Sequence, residues 1–326
     1  MTGQPLLTVL ELPEPYDLDG VLGWLAARAV PGSEAAELDA DGVVRRYARS
    51  LRTPAGPAFL EIERAGADGR GRPRLELAVH AAGGADPAPL VALARRALDL
   101  DRDPAASDAA LARDPRLAAR VAAIPGMRLP GAFDAAELLL QVVVGQQISV
   151  TAARGHVARL AERLGEPVDS PVVGVDRLFP SPGAIAEAIG APAEPDAPLD
   201  PDRILRLPRR TAEAIRRLML DLDAGALDPV SARDADELRA ALVARPGIGP
   251  WTAGYASLRL MGDPDAWPTG DVALLEGARR LGMLQREPSR AAGLRELDAL
   301  AEAWRPFRAY AALHLWRAAA GPAGAP

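Results

Sequence analysis

Residues 242–255 read Leu-Val-Ala-Arg-Pro-Gly-Ile-Gly-Pro-Trp-Thr-Ala-Gly-Tyr, and a lone carboxylate, Asp271, follows in Trp267-Pro-Thr-Gly-Asp-Val-Ala-Leu. Pro246 cannot sit inside a helix, so it ends one. Gly247 and Gly249 permit a positive φ and close backbone approach, and Pro250 suits the first position of the next helix. The run reads as helix, glycine hairpin, helix. Such a hairpin presents backbone N–H groups to an anion, most naturally a phosphate; the same residues also make a plain corner between two helices. Asp271 opens a helical stretch, where an aspartate caps the helix and the positive end of the helix dipole favours an acid. Beside a bound nucleotide, the same carboxylate would stabilise a cationic sugar and orient water towards C1′. A phosphate grip next to a lone acid predicts an enzyme that holds a DNA backbone and acts on one nucleotide.

Aromatic residues are scarce, yet Trp251, Tyr255, Trp267, Trp304, Phe307, Tyr310 and Trp316 all fall in the last quarter of the chain. Electron-rich ring faces attract a cationic alkylated purine by roughly 0.5–2 kcal/mol per contact. Phe307 and Tyr310 are expected in the core, whereas Trp251 and Trp316 could line a pocket. Gly145-Gln146-Gln147-Ile148-Ser149 interrupts two helical patterns. It is either a helix–helix corner or a loop whose side chain fills the gap left by an extruded base.

The composition narrows the chemistry. The 326 residues suffice for two or three domains. With no cysteine, disulfides, thiol nucleophiles and cysteine-ligated clusters are excluded. His80, His156 and His314 lie far apart, without metal-ligand spacing. Every Lys-or-Arg position is arginine, so no lysine Schiff base can form. The net charge of −6 weighs mildly against a nucleic-acid partner, but arginines cluster at 203–217 and again near the C-terminus. No apolar run approaches a membrane span and no secretory leader opens the chain, so the cytoplasm is the expected location.

These groups must be positioned by two regions. Residues 1–103 read as a mixed α+β unit. It has strands at Leu6–Leu12, Val43–Leu51, Ala58–Glu63 and Arg74–His80, a helix capped by Asp17, and a closing helix from Pro89 to about Leu100. Residues 104–326 read as almost wholly helical, with helices expected over 105–113, 115–123, 133–146, 149–164, 182–189, 209–224, 235–244, 250–261, 271–281, 288–303 and 306–319. Loops are expected at 166–181 and 190–202, and a frayed tail at the C-terminus.

The chain resembles the helix-hairpin-helix (HhH-GPD) DNA glycosylases, within them the bacterial 3-methyladenine DNA glycosylase II branch. The resemblance runs through Tyr16-Asp-x-x-x-x-Leu-Gly-Trp-Leu-Ala-Ala-Arg-Ala-Val, Tyr47-Ala-Arg-Ser-Leu, Leu129-Pro-Gly-Ala-Phe-Asp-Ala, Gly145-Gln-Gln-Ile-Ser-Val, Phe179-Pro-Ser-Pro, the hairpin, Trp304-Arg-Pro-Phe-Arg-Ala-Tyr-Ala and Leu313-His-Leu-Trp. It implies an α+β N-terminal domain with an antiparallel sheet like a half-repeat of the TATA-binding protein, then a mostly α-helical glycosylase fold of two subdomains with a cleft between them. Residue by residue, it puts Asp271 on the catalytic aspartate and Trp24, Trp251, Tyr255 and Trp316 on aromatic base-pocket positions. Gly247, Ile248, Gly249 and Thr252 fall on the phosphate-binding hairpin, whose carbonyls at 245–250 can hold a monovalent cation. The wedge position, bulky and apolar in the family, is Gln147 here, and Arg206 stands where a small residue is common. Bifunctional relatives carry a lysine just past the hairpin; Trp251 occupies that place.

The resemblance therefore implies a monofunctional glycosylase of base-excision repair. It would work as a monomer on damaged double-stranded DNA, with no cofactor and no catalytic metal, releasing alkylated purines of the 3-methyladenine and 7-methylguanine type. A non-catalytic DNA-damage-binding module and a glycosylase for oxidised or deaminated bases are the alternatives.

Overall fold

The structure is a computed structural model describing residues 4–81, 85–146, 148–191, 202–284 and 289–321. Its N-terminal part is a five-stranded antiparallel sheet in the order β1-β5-β4-β3-β2. The strands are β1 (Leu6–Leu10), β2 (Glu34–Leu38), β3 (Val44–Thr53), β4 (Gly56–Ala67) and β5 (Pro73–His80). The alternation in the sequence sets the register. Tyr47 opposes Ile62, and Ile62 opposes Leu77, so one face carries a continuous row of buried side chains. Helices α1 (Leu18–Arg28) and α2 (Ala88–Ala97) contribute to the same core. On the opposite face, Ala48 and Phe59 are covered by Val172 and Val175.

Strand β2 was not expected, since Glu-Ala-Ala-Glu-Leu has no strand character of its own. Cross-strand charge pairs with β3 hold it there: Glu34 lies opposite Arg49, and Glu37 opposite Arg46, with ion pairs at 3.2 and 2.8 Å. Arg49 also reaches Glu137 of α5 (Ala135–Val144) at 2.7 Å, tying the sheet to the helical region. Burial lifts the Glu137 carboxyl to about 7, against the pull of Arg49, because one guanidinium serves two enclosed carboxylates.

The remaining helices are α3 (Ala105–Leu111), α4 (Pro115–Ala123), α6 (Val150–Leu164), α7 (Pro182–Ile189), α8 (Arg209–Asp223), α9 (Ala235–Val243), α10 (Pro250–Met261), α11 (Val272–Arg280), α12 (Arg290–Ala301) and α13 (Arg308–Ala320). The expected helices are present, with ends shifted by a few residues at most. The expected loop at 166–181 contains a two-residue β-ladder, β6 (Glu166–Pro167) with β7 (Arg177–Leu178). Most of the expected loop at 190–202, all but one residue of the tail, and Gln147 lie outside the described residues.

Two hydrophobic cores organise the helices. One joins α5 to α9; the other joins α3, α4, α11, α12 and α13. Helix α10 serves both, with Ala253 and Ala256 in the first and Leu258 in the second, so it stands at the seam. Trp24 of α1 inserts into the second core and brings the N-terminal part to the same seam. Phe307 and Tyr310 are core residues of this cluster, as expected.

His314 on α13 is fully buried, and neither ring nitrogen has a partner among the described residues. Burial, helped by Arg120 and Arg317, holds its pKa down from 6.5 to about 3. The unfolded chain therefore takes up a proton from pH 6.5 downward that the folded chain refuses until about pH 3. Stability from this residue is intact above pH 6.5 and is lost as the pH falls through that window. In urea titrations, His314→Met is expected to lose roughly 2 kcal/mol less than the parent between pH 7 and pH 5; identical pH profiles would contradict this.

Candidate active site

Asp271 is the N-cap of α11. Its Oδ1 accepts from the Leu274 backbone N–H at 2.9 Å, and its Oδ2 accepts from the Trp251 indole Nε1–H at 2.7 Å. Both oxygens are thus directed by fixed donors, one in each of two consecutive helices. The side chain is 8% exposed and lies in the wall of a cleft of about 1420 Å³. Gly270, at φ +84°, makes the turn into the cap, a conformation disfavoured for other residues.

All four sequence-expected pocket aromatics line that cleft in an unbroken row from Asp271. Trp251 stacks on Tyr255 at 5.7 Å, Tyr255 meets Trp316 edge-on at 5.8 Å, and Trp316 leans on Trp24 at 5.6 Å. Trp251 and Tyr255 are one turn apart on α10, Trp316 comes from α13 and Trp24 from α1. All four rings line the cleft.

The hairpin stands at the same cleft. Gly247 has φ +84°, and a Cβ there would lie 2.5 Å from the Cβ of Ala214, so this turn admits only glycine. The Ile248 N–H closes the turn on Arg245 O at 3.1 Å, and the Ile248 side chain is buried in the core below. Gly249 caps α10, whose first-turn amides have no intrahelical acceptors. Thr252 is 1% exposed, and its hydroxyl accepts from the Gln146 side-chain amide at 3.0 Å, so this side chain serves the scaffold rather than the solvent face. The Gln146 amide also donates to Gly247 O at 3.0 Å, which ties the 145–149 corner to the hairpin.

Sequence reasoning missed several residues here. Arg28 lines the cleft with its guanidinium 3.6 Å from the centre of the Trp24 ring. Arg259, also in the cleft wall, donates to the Tyr255 hydroxyl at 3.1 Å and to Gly131 O at 2.8 Å. Burial pushes the Tyr255 phenol up, but Arg259 and Arg28 together outweigh it and the net direction is down. The available signal was helical spacing: each arginine follows a pocket ring by four residues. Ile148, Val150 and Val272 are exposed apolar residues at the rim. The arginines change the electrostatics expected from rings alone. Rings attract a cation by about 0.5–2 kcal/mol per contact. A second unit charge about 4 Å away repels it by about 4 kcal/mol at an effective dielectric of about 20.

The AlkA N-terminal domain family matches residues 8–134. The 3-methyladenine DNA-glycosylase from Archaeoglobus fulgidus shares the fold, with a TM-score of 0.71, 17% identity, and 95% of this chain and 97% of that one covered. DNA-3-methyladenine glycosylase 2 of Escherichia coli is 33% identical, over 93% of this chain and 94% of the relative. The chain belongs to the DNA-3-methyladenine glycosylase family. A probable bifunctional transcriptional activator/DNA repair enzyme AlkA of Mycobacterium tuberculosis is 36% identical over 94% of this chain, which spans only 56% of that relative's length.

Capping gives Asp271 a structural role separable from chemistry. Asp271→Ala is expected to lower the unfolding free energy by about 1 kcal/mol, whereas Asp271→Asn, itself a good cap, stays near the parent. Urea titration measures both, and equal losses would exclude the capping contribution.

Proposed function

We propose that the protein is a monofunctional DNA glycosylase that hydrolyses the N-glycosidic bond of a damaged base rotated out of duplex DNA, leaving an abasic site. The observation that carries this reading is the Asp271 carboxylate, aimed by the Trp251 indole at one end of a ring-lined cleft, with the glycine hairpin at the same mouth. Trp24, Trp251, Tyr255 and Trp316 would flank the base. Gly247, Ile248 and Gly249 would hold a phosphate through backbone amides, with Thr252 buttressing them from inside. The carboxylate would stabilise the oxocarbenium-like sugar and orient the attacking water. Strand cleavage by a lysine imine is excluded by composition, since the chain has no lysine.

Arg245 O, Gly247 O and Gly249 O each already accept one hydrogen bond and keep a second lone pair. This all-oxygen set suits a hard monovalent cation, which would stiffen the hairpin against the phosphate. No chemical step needs it. The same reading divides the chain into an N-terminal region, 1–103, and a glycosylase region, 104–326. The protein would act as a monomer on damaged duplex DNA in the cytoplasm, without a nucleotide cofactor. Among the described residues, no helix is long and apolar enough to cross a membrane.

Duplex DNA treated with dimethyl sulfate supplies the assay. The parent protein should release free 3-methyladenine, and strands should break only after added alkali. Asp271→Asn should cut the release rate by about 10²–10³ while still binding duplex DNA with an abasic site. Release by both at equal rates would remove Asp271 from the mechanism, and binding without release by either would leave a DNA-binding module.

A further inference from the structure

Gly247 packs against Ala214 near the start of α8, so the first turns of that helix adjoin the glycine hairpin. Arg210 is exposed and stands one turn before Ala214 on the same stripe of α8. Arg206, also exposed, lies in the segment leading into α8. The neighbouring helix α6 carries His156 and Arg159 one turn apart. Burial first, then Arg159 and Arg206, hold the His156 pKa below the ordinary histidine value, so both guanidinium groups are within electrostatic reach of the imidazole. Helix α6 itself starts from Ser149, in the corner that Gln146 ties to the hairpin. A basic strip therefore runs from the hairpin through Arg210 to Arg206, His156 and Arg159.

Carboxylates do not balance this strip. Further along α8, Arg216 and Arg217 both pair with Glu213. Among the described residues, Arg159, Arg206 and Arg210 form no ion pair. The Nη1 of Arg159 and the Nδ1 of His156 are buried without a hydrogen-bond partner, and folded proteins leave few such groups unmet. Like charges gathered without a counter-charge work against the compact state. The arrangement is thus a cost to the free protein that a bound anion removes. Forked guanidinium donors suit an oxyanion with several oxygens, as a phosphate has. Continuity with the hairpin selects the phosphate of a DNA backbone over a soluble ion.

We propose that Arg159, Arg206 and His156 form a second phosphate site, which grips the duplex backbone outside the cleft, with Arg210 bridging it to the hairpin. This rests on the glycosylase reading above and adds to it where the flanking duplex is held. His156 is seven residues beyond Ser149. That is about 10 Å along α6, a step that duplex DNA covers in about three base pairs. The contact therefore falls on a flank of the lesion, and it carries affinity without reading sequence.

The test measures binding of a duplex with a central tetrahydrofuran abasic-site analogue over a series of salt concentrations. The double variant Arg159→Gln, Arg206→Gln should bind about tenfold more weakly than the parent. Its plot of log affinity against log salt should be shallower by about 0.9, the value for one phosphate contact. Thermal melting of the free double variant should match or exceed the parent, because a repulsion has gone. Arg159→Lys with Arg206→Lys should keep the parent slope. Arg233→Gln, which removes an exposed arginine paired with Glu237, should also keep it. Two further duplexes are shortened to about two base pairs on one side or the other, the short end closed by a neutral polyether linker. The difference between parent and double variant should vanish on one of them and persist on the other. If the double variant does not fold, Arg206→Gln, a single exposed change, carries the same slope comparison. An unchanged slope, or an equal difference on both shortened duplexes, would overturn the proposal while the glycosylase reading stands. A parent that does not bind the abasic duplex would end both.

Discussion

The hydrogen bond from the Trp251 indole to Asp271 joins two tasks that would otherwise be independent. One is the direction of the carboxylate; the other is the plane of the first ring in the cleft. Because Leu274 N–H holds the other oxygen, the carboxylate cannot turn without giving up a helix cap. The Trp251 ring is held in turn, and the stacking of Tyr255 on it carries that orientation towards Trp316 and Trp24. The backbone permits this because α10 lies close to the segment before Asp271. At Gly254, an added Cβ would be 2.8 Å from Trp267 O, so a larger residue would drive α10 away from the loop that delivers the acid.

A second constraint is the sign of the charge in the cleft. Four rings alone would make a receptor for cations, and scarce aromatics gathered near one acid support that simple expectation. Arg28 and Arg259 oppose it. Arg259 is 5% exposed and held by backbone carbonyls and the Tyr255 hydroxyl, so it mainly fixes the position of that ring. Arg28 lies directly on the Trp24 ring and donates to the Trp24 carbonyl.

Much of the helical architecture was legible because it is written in short-range chemistry. Asp114, Asp134, Ser149, Ser181, Asp234, Asp271 and Ser289 each cap a helix by accepting a nearby backbone N–H, and each is visible as a residue type before an apolar pattern. The hairpin and the acid were legible for the same reason. Strand β2 was not, since its conformation depends on pairing with β3 across a turn rather than on its own side chains. Arg28 and Arg259 were passed over because arginine on a helix usually points to solvent. Nothing within α1 or α10 alone reveals that α13 brings Trp316 between their rings.

The place of Trp251 also bears on what the site does after the base has gone. The family resemblance implies that bifunctional relatives carry a lysine just past the hairpin. Here the residue at that place is an indole whose polar atom is committed to Asp271. Restoring a lysine would thus supply an amine but remove the donor that aims the carboxylate and the first ring of the row. One position cannot hold both groups, so under the function proposed above water would be the nucleophile because of how the acid is held, over and above the absence of lysine from the chain.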